Sequence, residues 1–102
     1  METFGDKIRV ARESKGLILR QVASALDIDQ AIISKFERGD RKPSKDQVEK
    51  FAKFFVLDKN ELITSWLSDK IASTIYEEEN IAEVLKLAEE KAKYLKNLHN
   101  EK

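Results

Sequence analysis

Hydrophobic residues recur at intervals of three and four along most of the chain, which is the spacing of α-helices that face a core. Five such stripes follow one another in the first two thirds of the sequence, and a longer one covers the end. No segment alternates between apolar and polar residues as a strand would. The pattern therefore predicts an all-α protein, with the stripes beginning at Phe4, Leu19, Ile33, Val48, Leu62 and Ile81.

Residues typical of helix ends lie between these stripes. Gly16 and Gly39 follow the first and third stripes, where a left-handed residue closes a helix. Asp29 is suited to cap the third helix. Ser44 and Asp58 each precede Gln or Glu by three residues, a spacing that predicts capping boxes at the starts of helices four and five. The chain is thus predicted to form short helices with short connections.

Composition narrows the class of protein. The chain has 102 residues, 19 basic and 19 acidic side chains, and no cysteine. A chain of this length forms one domain or one domain with an appendage, and the absence of cysteine suits a reducing cytoplasm. No apolar run is long enough for a membrane span. Because the net charge is zero, any nucleic-acid surface is expected to be a local patch rather than the whole molecule.

Three consecutive apolar residues, Ala31, Ile32 and Ile33, stand in the third predicted helix. Successive helical residues turn by about 100°, so these side chains cannot all face the same core. Ile33 fits the inward stripe, which leaves Ala31 and Ile32 to look outward. Helices two and three are short and are joined by a short turn, the arrangement of a helix-turn-helix motif.

Residues 4–62 resemble the Cro/phage-repressor family of bacterial regulators, also called the XRE family. The resemblance lies in the segments FGDKIRVARESKGL, QVASALDID, IISKFERG and DRKPS. It implies a five-helix DNA-binding domain, here expected over residues 1–67. Residues 68–102 are then expected to form a helical extension for dimerisation or for binding a partner.

The resemblance makes helix three the element that enters the major groove. Four of its residues, Gln30, Ala31, Ile32 and Lys35, are expected to face base edges. Glutamine can bind adenine through two hydrogen bonds, and small or apolar side chains can pack on thymine methyl groups. Lys35 could reach guanine or a phosphate. The alternative for Ile32 is a position packed against helix two or a protein-contact position.

Basic side chains around this helix are candidates for phosphate contacts. Three of them fall within five residues at the end of helix three. Another stands at the start of helix two, where backbone amides also favour anions. The alternative is that they are simply solvated. The expected phosphate contacts are Lys15, Arg20, Arg38, Arg41 and Lys42.

Three features of the chain can be compared with the family pattern residue by residue. The resemblance implies that Arg12 pairs with Glu37, as a structural ion pair rather than a DNA contact. The family usually opens helix two with a capping Ser or Thr followed by Gln, whereas this chain has Ile18 and Leu19. After helix four the family usually carries Gly, but here the residue is Val56. Since β-branched residues disfavour positive φ, we expect a different turn into helix five.

Apolar residues of the last third exceed what a five-helix module needs. A DNA-reading protein of this size gains from dimerisation, because two helices can then read the two halves of a palindrome. The alternatives are that the stripe packs on its own domain or binds another protein. The expected dimer or partner surface comprises Trp66, Ile81, Val84, Leu85, Ala88, Leu95 and Leu98.

These features favour a sequence-specific transcriptional regulator that reads double-stranded DNA as a homodimer. It could be a repressor or autoregulator, including a restriction–modification controller or an antitoxin-like protein. The alternative is a protein–protein adaptor that uses the same fold without DNA. An enzyme is not expected, because one histidine and scattered carboxylates form no catalytic arrangement. We also expect no metal and no cofactor.

Overall fold

The computed structural model describes residues 1–100, and over this range it is all-α, as the sequence predicts. The chain divides into two compact units, one of residues Met1–Ile71 and a second that begins at Ala72. No helix among the described residues combines the length and apolarity needed to cross a membrane. The six helices of residues 1–100 are α1 (Phe4–Ser14), α2 (Leu19–Leu26), α3 (Gln30–Arg38), α4 (Lys45–Phe55), α5 (Lys59–Ile75) and α6 (Ile81–Asn100).

The expected caps fix the ends of several helices. The Ser44 hydroxyl accepts from the backbone N–H of Gln47, whose side chain accepts from the N–H of Ser44 in return. The carboxylates of Asp29 and Asp58 each cap the first turn of the following helix. Thr3 forms a further capping box, with Asp6, that was not predicted from the sequence. Such caps supply hydrogen-bond partners that the first turn of a helix otherwise lacks.

The expectation of a different turn after α4 is wrong. Val56 adopts the left-handed conformation in which the family carries glycine, with φ 55° and ψ 48°. The N–H of Leu57 closes the turn on the carbonyl of Ala52 at 2.9 Å. A left-handed conformation costs a residue with a Cβ about 1–2 kcal/mol. Because Val56 is 84 % exposed, burial of its own side chain does not offset this cost. The residue that packs against the core at this turn is Leu57.

The core of the first unit is built around the ring of Phe51. Phe4 and Phe36 meet it edge to face, and Phe55 stacks on it with centroids 6.2 Å apart. The three elements that bring these rings together are α1, α3 and α4. The inner face of α3, the helix expected to enter the major groove, therefore packs against the same aromatic core as α1 and α4.

Trp66 belongs to this core and is only 6 % exposed. Its indole N–H donates to the carbonyl oxygen of Pro43 at 2.9 Å, and the ammonium of Lys70 lies over its ring, 3.8 Å from the centroid. A buried indole needs a partner for its N–H, and here the loop before α4 provides it. Trp66 is therefore a core residue and does not belong to the expected dimer or partner surface.

The backbones of α1 and α3 approach each other closely at Gly5, a buried residue of α1. A Cβ added at Gly5 would lie 2.5 Å from the carbonyl oxygens of both Phe36 and Glu37. These oxygens belong to the backbone and cannot rotate away as a flexible side chain could. Glycine is thus required inside α1, although it is a poor helix former.

Candidate DNA-binding surface

A tight turn joins α2 to α3. Asp27 takes the left-handed conformation at the end of α2, with φ 55° and ψ 47°. Ile28 then turns inward and is buried. The inward faces of the two helices meet through Val22, Leu26 and Ile33, all of which are in the core. Two short helices are thereby locked at a fixed angle, as a helix-turn-helix requires.

The three consecutive apolar residues of α3 point in different directions. Ile33 is completely buried and Ala31 is exposed. Ile32 lies between these extremes, half-buried against the core but not part of it. Gln30 and Lys35 are both exposed. The outer face of α3 therefore presents two polar side chains, one methyl group and part of one isoleucine.

A buried ion pair joins α1 to the end of α3, as the resemblance implies. Nε and Nη2 of Arg12 donate to the two carboxylate oxygens of Glu37 at 2.8 and 2.9 Å. Nη1 donates to the carbonyl oxygen of Leu17, in the loop before α2, at 3.0 Å. The hydrogen bonds to Glu37 raise the pKa of Arg12 above its ordinary value, so the guanidinium stays charged. One side chain thus ties α1, the α1–α2 loop and α3 together.

The start of α2 lacks the side-chain cap that is usual in the family. Ile18 makes no such bond, as expected from its side chain. Instead the Gln21 side chain reaches back, and its oxygen accepts from the N–H of Ile18 at 2.8 Å. This contact was not predicted, although the three-residue spacing between Ile18 and Gln21 is that of a capping box. Arg20 is exposed in the first turn of α2.

At the other end of α3, Arg38 is exposed but already paired. Its Nε donates to Asp40 at 2.9 Å, and its Nη1 donates to the hydroxyl of Ser34. Arg41 and Lys42 follow in the loop and are also exposed. The loop ends at Pro43, which is buried. Three of the expected phosphate contacts therefore lie together in or beside one loop.

Lys15 is placed elsewhere. It lines a surface groove of about 590 Å³ together with Val10, Phe55 and Leu57. Phe55 is the last residue of α4, whereas Arg41 and Lys42 precede the first. A helix of eleven residues spans about 15 Å, so the groove and the basic loop adjoin opposite ends of α4. Lys15 is the weakest of the proposed phosphate contacts.

The described residues contain no group of three or more His, Asp or Glu side chains that could hold a metal ion. A family model described as a helix-turn-helix matches residues 8–62. This range spans α2, α3 and α4, most of α1 and the start of α5. No curated protein is similar enough to the chain to count as a relative.

Proposed function

Because the chain belongs to the helix-turn-helix family of Cro-like and phage-repressor-like (XRE) transcription regulators, we propose that it reads a palindromic operator as a homodimer. In this role it represses or autoregulates promoters. The observation that carries the proposal is the exposed outer face of α3, held rigidly by a buried inner face. A helix presented in this way fits the major groove of B-DNA.

Each residue of this outer face has a role in the proposal. Gln30 lies in the first turn of α3, the part of a recognition helix that reaches base edges. Its amide can bind N6 and N7 of adenine, while Ala31 and the exposed part of Ile32 pack against thymine methyl groups. Lys35, one turn further on, binds guanine or a phosphate. A site rich in adenine and thymine steps is the expected target.

The basic loop supplies the contacts that hold the protein on the DNA backbone. Arg38, Arg41 and Lys42 are proposed to bind phosphates at the end of α3, and Arg20 with the first backbone amides of α2 binds another. Helix N-termini favour anions even without a side-chain cap. These contacts fix the register of α3 in the groove but do not read sequence.

Replacing Arg41 with alanine should weaken binding to all DNA sequences by a similar factor. A dimer that loses one phosphate contact in each half should show a slope of log K against log salt that is flatter by about two. Fluorescence anisotropy of a labelled duplex at several salt concentrations measures the slope. Lys53→Ala is the control, since Lys53 is exposed near the other end of α4. Equal slopes for wild type and Arg41→Ala would exclude Arg41 from the interface.

The homodimer is proposed to form through α6. No residue of this helix is buried, although Ile81, Leu85, Leu95 and Leu98 are large apolar side chains that are each more than a third exposed. Val84 and Ala88 complete the stripe. An amphipathic helix gains stability by covering such a face, and a second copy of the same face gives a closed twofold pair. Leu87 and Tyr94, also exposed, widen the apolar surface beyond the expected stripe.

Replacing Leu95 with glutamate should dissociate the dimer. A carboxylate in the apolar interface would have to be buried without a partner, which should raise the dissociation constant at least about tenfold. Asn97→Glu adds the same charge on the opposite face of α6 and should leave the assembly unchanged. Sedimentation of the full chains makes the comparison. If both variants dimerise like wild type, the α6 stripe is not the dimer interface.

Two observations favour the alternative of an adaptor. Ile18 is 51 % exposed at the start of α2, where members of the family usually carry a polar cap, and the net charge of the chain is zero. An apolar residue at this point suits a protein contact better than a phosphate contact. Failure of the full chain to bind any duplex at low salt would favour the adaptor.

A further inference from the structure

The guanidinium of Arg38 is partly occupied within the protein itself. Two of its nitrogens already donate, one to the carboxylate of Asp40 and one to the hydroxyl of Ser34. The side chains of Arg38 and Asp40 are 57 % and 60 % exposed. An ion pair exposed to this degree adds little to stability. Its main effect is on the charge that the end of α3 presents to a partner.

Asp40 is held in place by the way α3 ends. Gly39 takes the left-handed conformation, with φ 79°. The backbone N–H of Asp40 then donates to the carbonyl oxygen of Lys35 at 2.9 Å. This is the six-to-one bond of a Schellman motif. The carboxylate of Asp40 is therefore attached to a fixed part of the backbone, two residues from the arginine that it binds.

We propose that Asp40 competes with the DNA backbone for Arg38 and thereby limits the affinity of the protein for DNA of any sequence. The inference rests on the proposed DNA-binding function. A phosphate that approaches Arg38 must either displace the carboxylate of Asp40 or bind beside it. Displacement costs the existing hydrogen bond, and binding beside it brings two negative charges together. Both routes make the contact weaker than one to an arginine without an acidic neighbour.

The charges around α3 agree with this proposal. Residues 27–42 contain four basic side chains, all exposed, and four acidic ones, of which Glu37 is buried against Arg12, so the four exposed positive and three exposed negative charges leave a net charge of only +1. Non-specific binding depends almost entirely on electrostatic attraction to phosphates. A segment of such low net charge keeps this binding weak, and stable binding then depends on the base contacts of α3.

The test uses the full-length chain and a labelled duplex of random sequence at low salt. Asp40→Asn keeps the shape of the side chain but removes its charge, so it should tighten binding about three- to tenfold. In an Arg38→Ala background, Asp40→Asn should change affinity by less than about twofold relative to Arg38→Ala alone, because Asp40 then has no arginine to withhold from the DNA. Glu90→Gln is the charge-matched control, on an exposed position of α6, and should leave affinity unchanged.

Two results would overturn the competition. One is unchanged affinity in Asp40→Asn. The other is an equal gain with and without Arg38, which would make Asp40 a general surface charge. Failure of both the wild-type chain and Asp40→Asn to bind the duplex is a different result: it contradicts the proposed DNA-binding function itself, and with it the role of Asp40.

Discussion

Arg12→Met should lower the free energy of unfolding by about 3–5 kcal/mol, the usual cost of leaving one member of a buried ion pair without its partner. The carboxylate of Glu37, whose side chain is 8 % exposed, would lose both of its hydrogen bonds from Arg12. The carbonyl of Leu17 would lose its donor as well. Urea denaturation followed by circular dichroism measures the change.

Two further variants serve as controls for the effect of Arg12→Met. Arg9→Met removes a charge from the same helix, but the side chain of Arg9 is 43 % exposed in its pairs with Asp6 and Glu13. Its loss should change stability by no more than about 0.5 kcal/mol. Replacing Arg12 and Glu37 together with Met and Leu should recover much of the loss, because no buried charge remains. Equal effects of Arg9→Met and Arg12→Met would contradict the view that burial makes this pair important.

Ile33→Ala should destabilise the protein by about 2–5 kcal/mol, since it removes a completely buried side chain and leaves a cavity. Ile32→Ala should cost less stability, because Ile32 is only half-buried. It should also weaken binding at operator sites that carry a thymine opposite Ile32. The two variants thus separate a core residue from a groove residue one position away. Thermal unfolding and DNA titration of both proteins provide the data.

The thymine methyl offers an independent check on Ile32. Uracil in place of that thymine should weaken binding of the wild type and have no further effect on Ile32→Ala. Suppose instead that Ile32→Ala loses as much stability as Ile33→Ala and keeps its base preference. Ile32 would then be a core residue, and the apolar triplet would carry no information about DNA.

Periodicity predicts the helices of the first unit well because their inner faces are all buried in one core. Phe4, Ile8, Val48 and Phe51 are each at most 3 % exposed, as their spacing predicts. The Arg12–Glu37 pair lies 25 residues apart, and no local rule would find it. It came from the resemblance to a family, which carries tertiary information that one sequence lacks.

The residues that sequence reasoning misplaced depend on distant partners. From its sequence position Trp66 is expected on a partner surface, but its indole N–H donates to the carbonyl oxygen of Pro43, 23 residues earlier. Val56 disfavours positive φ, yet Leu57 closes the turn and packs on the core. In both cases tertiary packing outweighs the local preference. The occupant of the α6 face stays a proposal for a related reason: an apolar stripe predicts burial but does not identify the partner.

The bond from Trp66 to Pro43 also gives the protein a built-in optical reporter. Trp66 is the sole tryptophan of the chain, and its ring lies in the first unit, bonded to the end of the loop that carries Arg41 and Lys42. Both tyrosines, Tyr76 and Tyr94, belong to the second unit and are exposed. Tryptophan emission therefore follows melting of the DNA-reading unit and movement of its basic loop. Tyr94 lies in α6, the helix proposed to pair, and Tyr76 precedes it, so tyrosine absorbance reports on the second unit without any added label.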